Sequence, residues 1–181
     1  DVQHLIGSSP KTILQDQTVQ HQYESPKYQA ANLLTYLQTV LQMEAVACKD
    51  WLTNKVDRSV TGKVAMQQAC GPLQLPLNNV AVMALDFTSN KGIATAIGHA
   101  PAAALVDPVA GSQLSIAEAL TNLVWAPLTH GLTGVSLSAN WMWPAKNKGE
   151  NARLYQAVEA VSNFAIALGI NIPTGKDSLS M

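Results

Sequence analysis

Gly111-Ser-Gln-Leu-Ser-Ile-Ala-Glu-Ala-Leu-Thr-Asn122 is the stretch on which the reading of this chain turns. Taken as a helix from 112 to about 126, it stacks Glu118 and Asn122 one turn apart on a single face. Leu114, Ala117, Leu120, Thr121 and Val124 fall on another face and are expected to pack inward. A carboxylate and an amide carbonyl then look outward together. Both are hard oxygen donors, of the kind Mg²⁺ accepts when it also holds phosphates. The same residues suit a capping box, Ser115 with Glu118, or an ordinary solvated face. Spacing alone leaves these readings open.

Working outward from that helix, Asn78 to Asp86 is a nearly continuous apolar run, as expected of a strand covered on both faces. A Ser-Asn-Lys-Gly turn at 89–92 follows, and Ile93 to Gly98 is the expected antiparallel partner. Pro101 to Pro108 is mostly Ala and reads as a short packed segment. Asp86 and Asp107 end strands or open turns, and His99 and His130 read as surface residues. On the C-terminal side, Leu132 to Ala139 alternates Val135, Leu137 and Ala139 with Ser136 and Ser138, the mark of a half-buried strand. A helix over 151–168 presents Leu154, Val158, Val161, Phe164 and Leu168, with Gly169 just past its end. The last strand starts in Gly169-Ile-Asn-Ile-Pro173 and runs into Gly-Lys-Asp-Ser.

On the N-terminal side, residues 1–24 are polar, rich in Gln and His, and read as an arm or linker. Ser25-Pro26 opens a helix over 27–45, with Leu33, Leu34, Leu37, Val40 and Leu41 at helical spacing. A second short helix is expected at about 47–54, and a turn from Asp57 leads into a strand ending at Val64. The pattern is α+β, a mixed sheet with helices on one face. Strands apolar on both faces with one set of covering helices imply that a related copy of the fold buries the other face.

Composition bounds the rest. Of 181 residues, 48% are hydrophobic and 13% charged, and the net charge is -1, which argues against a nucleic-acid surface. No apolar run approaches the roughly 18 residues that span a bilayer. Cys48 and Cys70 suggest neither a disulfide scaffold nor a zinc knuckle, and reduced thiols point to the cytoplasm. The four histidines form no ligand-spaced pair. The first residue is Asp1 and the last string is Gly-Lys-Asp-Ser-Leu-Ser-Met181, so the chain reads as a piece of something longer.

Five strings in order carry a resemblance. They are Val-Thr-Gly-Lys-Val-Ala at 60–65, Gly-Pro-Leu-Gln-Leu-Pro-Leu at 71–77 and Ala-Glu-Ala-Leu-Thr-Asn at 117–122. Leu-Ser-Ala-Asn-Trp-Met at 137–142 and Pro-Thr-Gly-Lys-Asp-Ser-Leu-Ser-Met at 173–181 complete them. Over residues 57–181 the chain resembles the large, single-chain phosphoribosylformylglycinamidine synthase family of purine biosynthesis. The resemblance implies that 25–181 is the A domain of the enzyme's second half, half of a barrel made by pairing with a related A domain. It implies further partners too, namely B domains and a glutaminase domain that supplies ammonia. The reaction implied is ATP-dependent: the amide oxygen of formylglycinamide ribonucleotide is phosphorylated, and ammonia displaces phosphate to give the amidine.

Residue by residue, Glu118 and Asn122 match Mg²⁺ ligands of that family, and position 79 matches a third. The family usually has Asp there; this chain has Asn79, which drops a negative charge and keeps a carbonyl oxygen. Asn78 matches a nucleotide contact for ATP or ADP. A further family ligand lies beyond Met181, so the piece by itself is expected to be inactive. One of the family's two pseudo-equivalent sites retains ADP as a structural element, and the present residues resemble that one. A barrel-forming module that holds nucleotide without catalysis is therefore the alternative reading, and homodimerisation of the piece is a further expectation. Lys176, Asp177 and Ser178 suit a structural turn or a phosphate contact; no Walker pattern precedes them. Related enzymes such as aminoimidazole ribonucleotide synthase fit the strings less well.

Overall fold

A computed structural model describes residues 2–8, 12–44, 46–48, 62–67, 71–73 and 79–180. Asn78, most of the helix expected at 47–54 and the turn before Gly62 lie outside them. A short helix α1 (Val2–Ile6) and a 3₁₀ turn (Ala30–Asn32) precede α2 (Leu33–Gln42). Then come β1 (Val64–Met66), β2 (Val80–Ala84), β3 (Gly92–Ala96), α3 (Pro101–Val106) and α4 (Pro108–Leu123). A 3₁₀ turn at Gly131–Gly134 leads to β4 (Ser136–Met142), α5 (Glu150–Leu168) and β5 (Asn171–Ser178).

The fold is mixed α and β, but the single mixed sheet expected from the sequence is instead two small ones. β1, β2 and β3 form an antiparallel sheet in that order, and β4 pairs with β5 in parallel. β2 and β3 are the hairpin expected from the apolar run and the Ser-Asn-Lys-Gly turn, with Val80 opposite Ala96 and Ala84 opposite Gly92. Its turn is tied by Asp86, whose carboxylate accepts from the Thr88 amide at 2.8 Å and the Ser89 hydroxyl at 2.6 Å. The hydroxyl and amide of Ser89, then the amide of Thr88, hold the Asp86 carboxyl well below the usual carboxylate range.

The two sheets meet in one core. Val80, Leu123, Val135 and Ile170 are buried together, with Met66, Val82, Ala96, Leu120, Leu137 and Leu168 packed around them. β4 behaves as read: Leu137, Ala139 and Trp141 are half-buried while Ser136, Ser138 and Asn140 are exposed. α5 ends as read, with Gly169 at φ +69° after the last turn.

The inward faces expected of the two long helices hold in part: Ala117 and Leu120 on α4, and Leu154, Val161, Phe164 and Leu168 on α5, are buried or half-buried. α4 buries Pro108, Gly111, Ser112, Ile116 and Leu123, whereas Leu114 and Val124 are 51% and 67% exposed. α5 buries Arg153, Ala157, Ala160, Val161 and Ala165, and Val158 is exposed. These helices pack on each other through small side chains, which let two backbones approach where Leu would hold them apart. The start of α4 lies equally tight on α3: a Cβ on Gly111 would collide with the backbone of Ala104.

Asp107 ends α3 and caps α4, accepting from the Val109 amide at 2.8 Å and the Ala110 amide at 3.1 Å, with Pro108 in the first turn. The Ser115–Glu118 capping box therefore does not form. Ser115 lies mid-helix, and its hydroxyl donates to the Gly111 carbonyl at 3.0 Å. The helix expected over 27–45 is shorter, and it has no buried residue. The Ala-rich segment after Pro101 is helical, not merely packed.

Candidate functional site

After β3 the backbone runs directly over α4. A Cβ on Gly98 would overlap the Ser115 carbonyl oxygen and the Ala119 amide nitrogen, so only glycine passes there. That crossing delivers two backbone groups to the outward face of α4. The His99 amide donates to Glu118 Oε2 at 2.9 Å, and the Ile97 carbonyl accepts from Asn122 Nδ2 at 2.9 Å. With its nitrogen held by Ile97, the Asn122 amide turns its Oδ1 the other way. There it meets Asn79, the residue before β2, whose Nδ2 donates to it at 3.4 Å.

The structure thus brings Asn79 to Asn122, 43 residues away in sequence, with Glu118 one turn earlier on the same helix. Asn79 and Glu118 are exposed and Asn122 half-buried. Glu118 Oε1 has no hydrogen-bond partner among the described residues, so a carboxylate oxygen is left one helical turn from an amide oxygen turned toward Asn79. Rotating the Asn79 amide by half a turn would add its Oδ1. Hard oxygens in this arrangement suit a divalent cation better than a soft metal. Among the described residues no three His, Cys, Asp or Glu side chains converge, so a cation here would depend on amide oxygens and on a ligand's own phosphates.

Sequence reasoning missed the part played by Ile97, Gly98 and His99, because backbone groups carry no side-chain signature. Gly98, alone between a strand and a proline-led helix, was the available signal. The other candidates lie apart. Lys176 pairs in register with Asn140 and Asp177 with Trp141, and Lys176 Nζ donates to Ser178 Oγ at 2.8 Å. Asp177 also lines an open groove of about 550 Å³, with Ala145, Lys146, Asn151, Leu179 and Ser180. No helix among the described residues is long and apolar enough to cross a membrane.

Comparison with known proteins bears on this arrangement. The model of the FGAR-AT PurM_N-like domain matches residues 48–181. Phosphoribosylformylglycinamidine synthase of Homo sapiens is 54% identical over 145 residues, 80% of this chain and 11% of that protein. A protein of Arabidopsis thaliana called probable phosphoribosylformylglycinamidine synthase, chloroplastic/mitochondrial, is 44% identical over the whole chain and 13% of its own length. The Drosophila melanogaster synthase is 41% identical over the same shares. The chain therefore spans about an eighth or less of these relatives.

Proposed function

The chain belongs to the FGAR-AT PurM_N-like domain family, and from that premise we propose that it is the A-type, nucleotide-holding domain of a formylglycinamidine ribonucleotide synthase. In this reading Glu118 and Asn122, with Asn79, hold Mg²⁺ on the phosphates of ATP or ADP, and Asn78 contacts the nucleotide. The observation that carries it is the orientation of Asn122. Its Oδ1 is fixed toward Asn79 because Ile97 takes its nitrogen, one helical turn from a carboxylate that His99 steadies. The bound cation would neutralise phosphate charge during ATP-dependent amide-to-amidine conversion. The chain's own residues orient oxygens and keep the Ile97–His99 backbone pinned on α4.

A structural role for the nucleotide is favoured over turnover by the single carboxylate in the set, Asn79 standing where the family usually has Asp. Fewer negative charges make a poorer scaffold for charge developing in a transition state. Ile93, Leu85 and Phe87, exposed on and beside the hairpin, support a half-barrel completed by a related A domain. The free thiol of Cys48 is in keeping with the cytoplasm.

Calorimetric titration of Mg²⁺-ADP into this chain, and into a longer chain carrying the following domain, tests the assignment. Asn79→Asp should tighten binding about tenfold or more, and Glu118→Gln should weaken it by a similar factor. Unchanged affinity in both variants removes the proposed ligand set. Glu118→Ala in the whole synthase separates the roles: lost ADP retention with surviving turnover supports the structural reading.

A further inference from the structure

The first turn of α5 and the end of α3 form a shoulder, and residues from the start of the chain lie across it. Asp16 Oδ1 accepts from the Gly149 amide at 3.0 Å, and Oδ2 from the Asn151 and Ala152 amides at 3.1 and 3.3 Å. These amides have no partner within the helix, and a carboxylate also complements the positive end of its dipole. Val19 then lies so close to Gly149 that a Cβ there would sit 2.8 Å from Val19 Cγ2 and 2.9 Å from its amide nitrogen. Gly149 also holds φ +85°. Finally, Tyr23 donates its hydroxyl to the Leu105 carbonyl at 2.8 Å, the same oxygen that accepts from Arg153 Nη2 at 2.8 Å.

Between these points the segment buries little: Asp16 and Val19 are half-buried, and the rest of 12–24 is exposed. It is held by spaced contacts and has no core of its own. Such a segment can leave without unfolding what it rests on. Its footing is also the wall of the groove at the end of β5. Asn151, whose amide Asp16 holds, donates Nδ2 to the Ala145 carbonyl at 2.7 Å, and both residues line that groove. The family match starts at residue 48, so this segment lies outside the matched domain and still grips it.

We propose that residues 12–24 are a built-in latch: docked, they fix the Ala145–Gly149 loop and the groove it walls; released, they free both. Amide hydrogen exchange on the whole chain tests this. In Asp16→Ala, exchange at Asn151 and Ala152 should speed up about tenfold, the worth of a helix cap. The Ala145–Gly149 loop should lose protection with them, while Val161 to Ala165 keep theirs, and chymotryptic cleavage after Leu14 should speed up as the segment leaves. Tyr23→Phe leaves the cap intact and should speed that cleavage by a smaller factor. The proposal is overturned if Asp16→Ala speeds up α5's first turn alone, with Leu14 cleaved as slowly as before. Should Asp16→Ala loosen the whole domain, Tyr23→Phe decides: faster cleavage after Leu14 supports the latch, and no change refutes it.

Discussion

α2 and α4 make an instructive pair. α2 carries the plainer amphipathic stripe, yet Leu33, Leu34, Leu37, Val40 and Leu41 are all between 53% and 74% exposed except Val40, at 46%. α4 has a blurred stripe and is the centre of the packing, touching α3, α5 and β3. A regular stripe states that a helix seeks cover without saying what covers it. Glycine, serine and alanine on α4 and its neighbours permit backbone-to-backbone contact, which a count of large apolar residues overlooks.

That contrast can be broken by substitution, most severely where backbones touch. Gly98→Val should destabilise the chain by about 3 kcal/mol or more, since the obstruction is helix backbone and cannot swing aside. Urea midpoints measure it, and a loss below about 1 kcal/mol would mean the backbone after β3 does not cross α4 as described. Arg153→Met comes next. Arg153 is buried, bonded to the Ala104 and Leu105 carbonyls at 2.8 Å, and paired with Glu150 at 3.3 Å. Its loss should cost about 2 kcal/mol by uncoupling α3 from α5, again read from the midpoint.

A milder test uses acid. Asp86 is held low chiefly by the Ser89 hydroxyl, so its folded form resists protonation. Its contribution is fully present above about pH 4, the unfolded value, and is lost as pH falls through the lowered folded one. Below pH 4 the native chain should therefore lose stability more steeply than Asp86→Asn, as seen in thermal midpoints between about pH 2 and 5. Equal slopes would detach the β2–β3 turn from the register that brings Gly98 to α4. The smallest effect belongs to α2: Leu37→Gln should shift stability by no more than about 0.5 kcal/mol. A loss of about 2 kcal/mol would show that α2 is covered in solution and erase the contrast with α4.

Much of the architecture was readable from residues alone, because it follows from local rules. The β2–β3 hairpin, the alternation of β4 and the Gly169 stop on α5 need only pleat period, turn chemistry and left-handed glycine. The face of α4 was misread in part, with Leu114 and Val124 outside and Gly111 and Ser112 inside, because helix-to-helix approach is set by the smallest side chains between them, and periodicity weights the largest. On α5 only Val158 of the five expected apolar residues is exposed. The separation into two sheets depends on which strands find hydrogen-bond partners across space, and no local pattern records that. Of the candidate site, the i, i+4 pair Glu118 and Asn122 was legible and Asn79 came only through family likeness; their meeting was not.

By itself the sequence determined the family and the chemical character of the polar pair, since side-chain identity and one-turn spacing are written in the chain. Only the tertiary structure decided that Gly98 lies on α4, that Ile97 turns the Asn122 oxygen toward Asn79, and that Asp16 reaches α5 from 133 residues away. Those facts rest on backbone amides and carbonyls. Every residue carries the same ones, so their partners are chosen by the folded path and leave no mark in residue type.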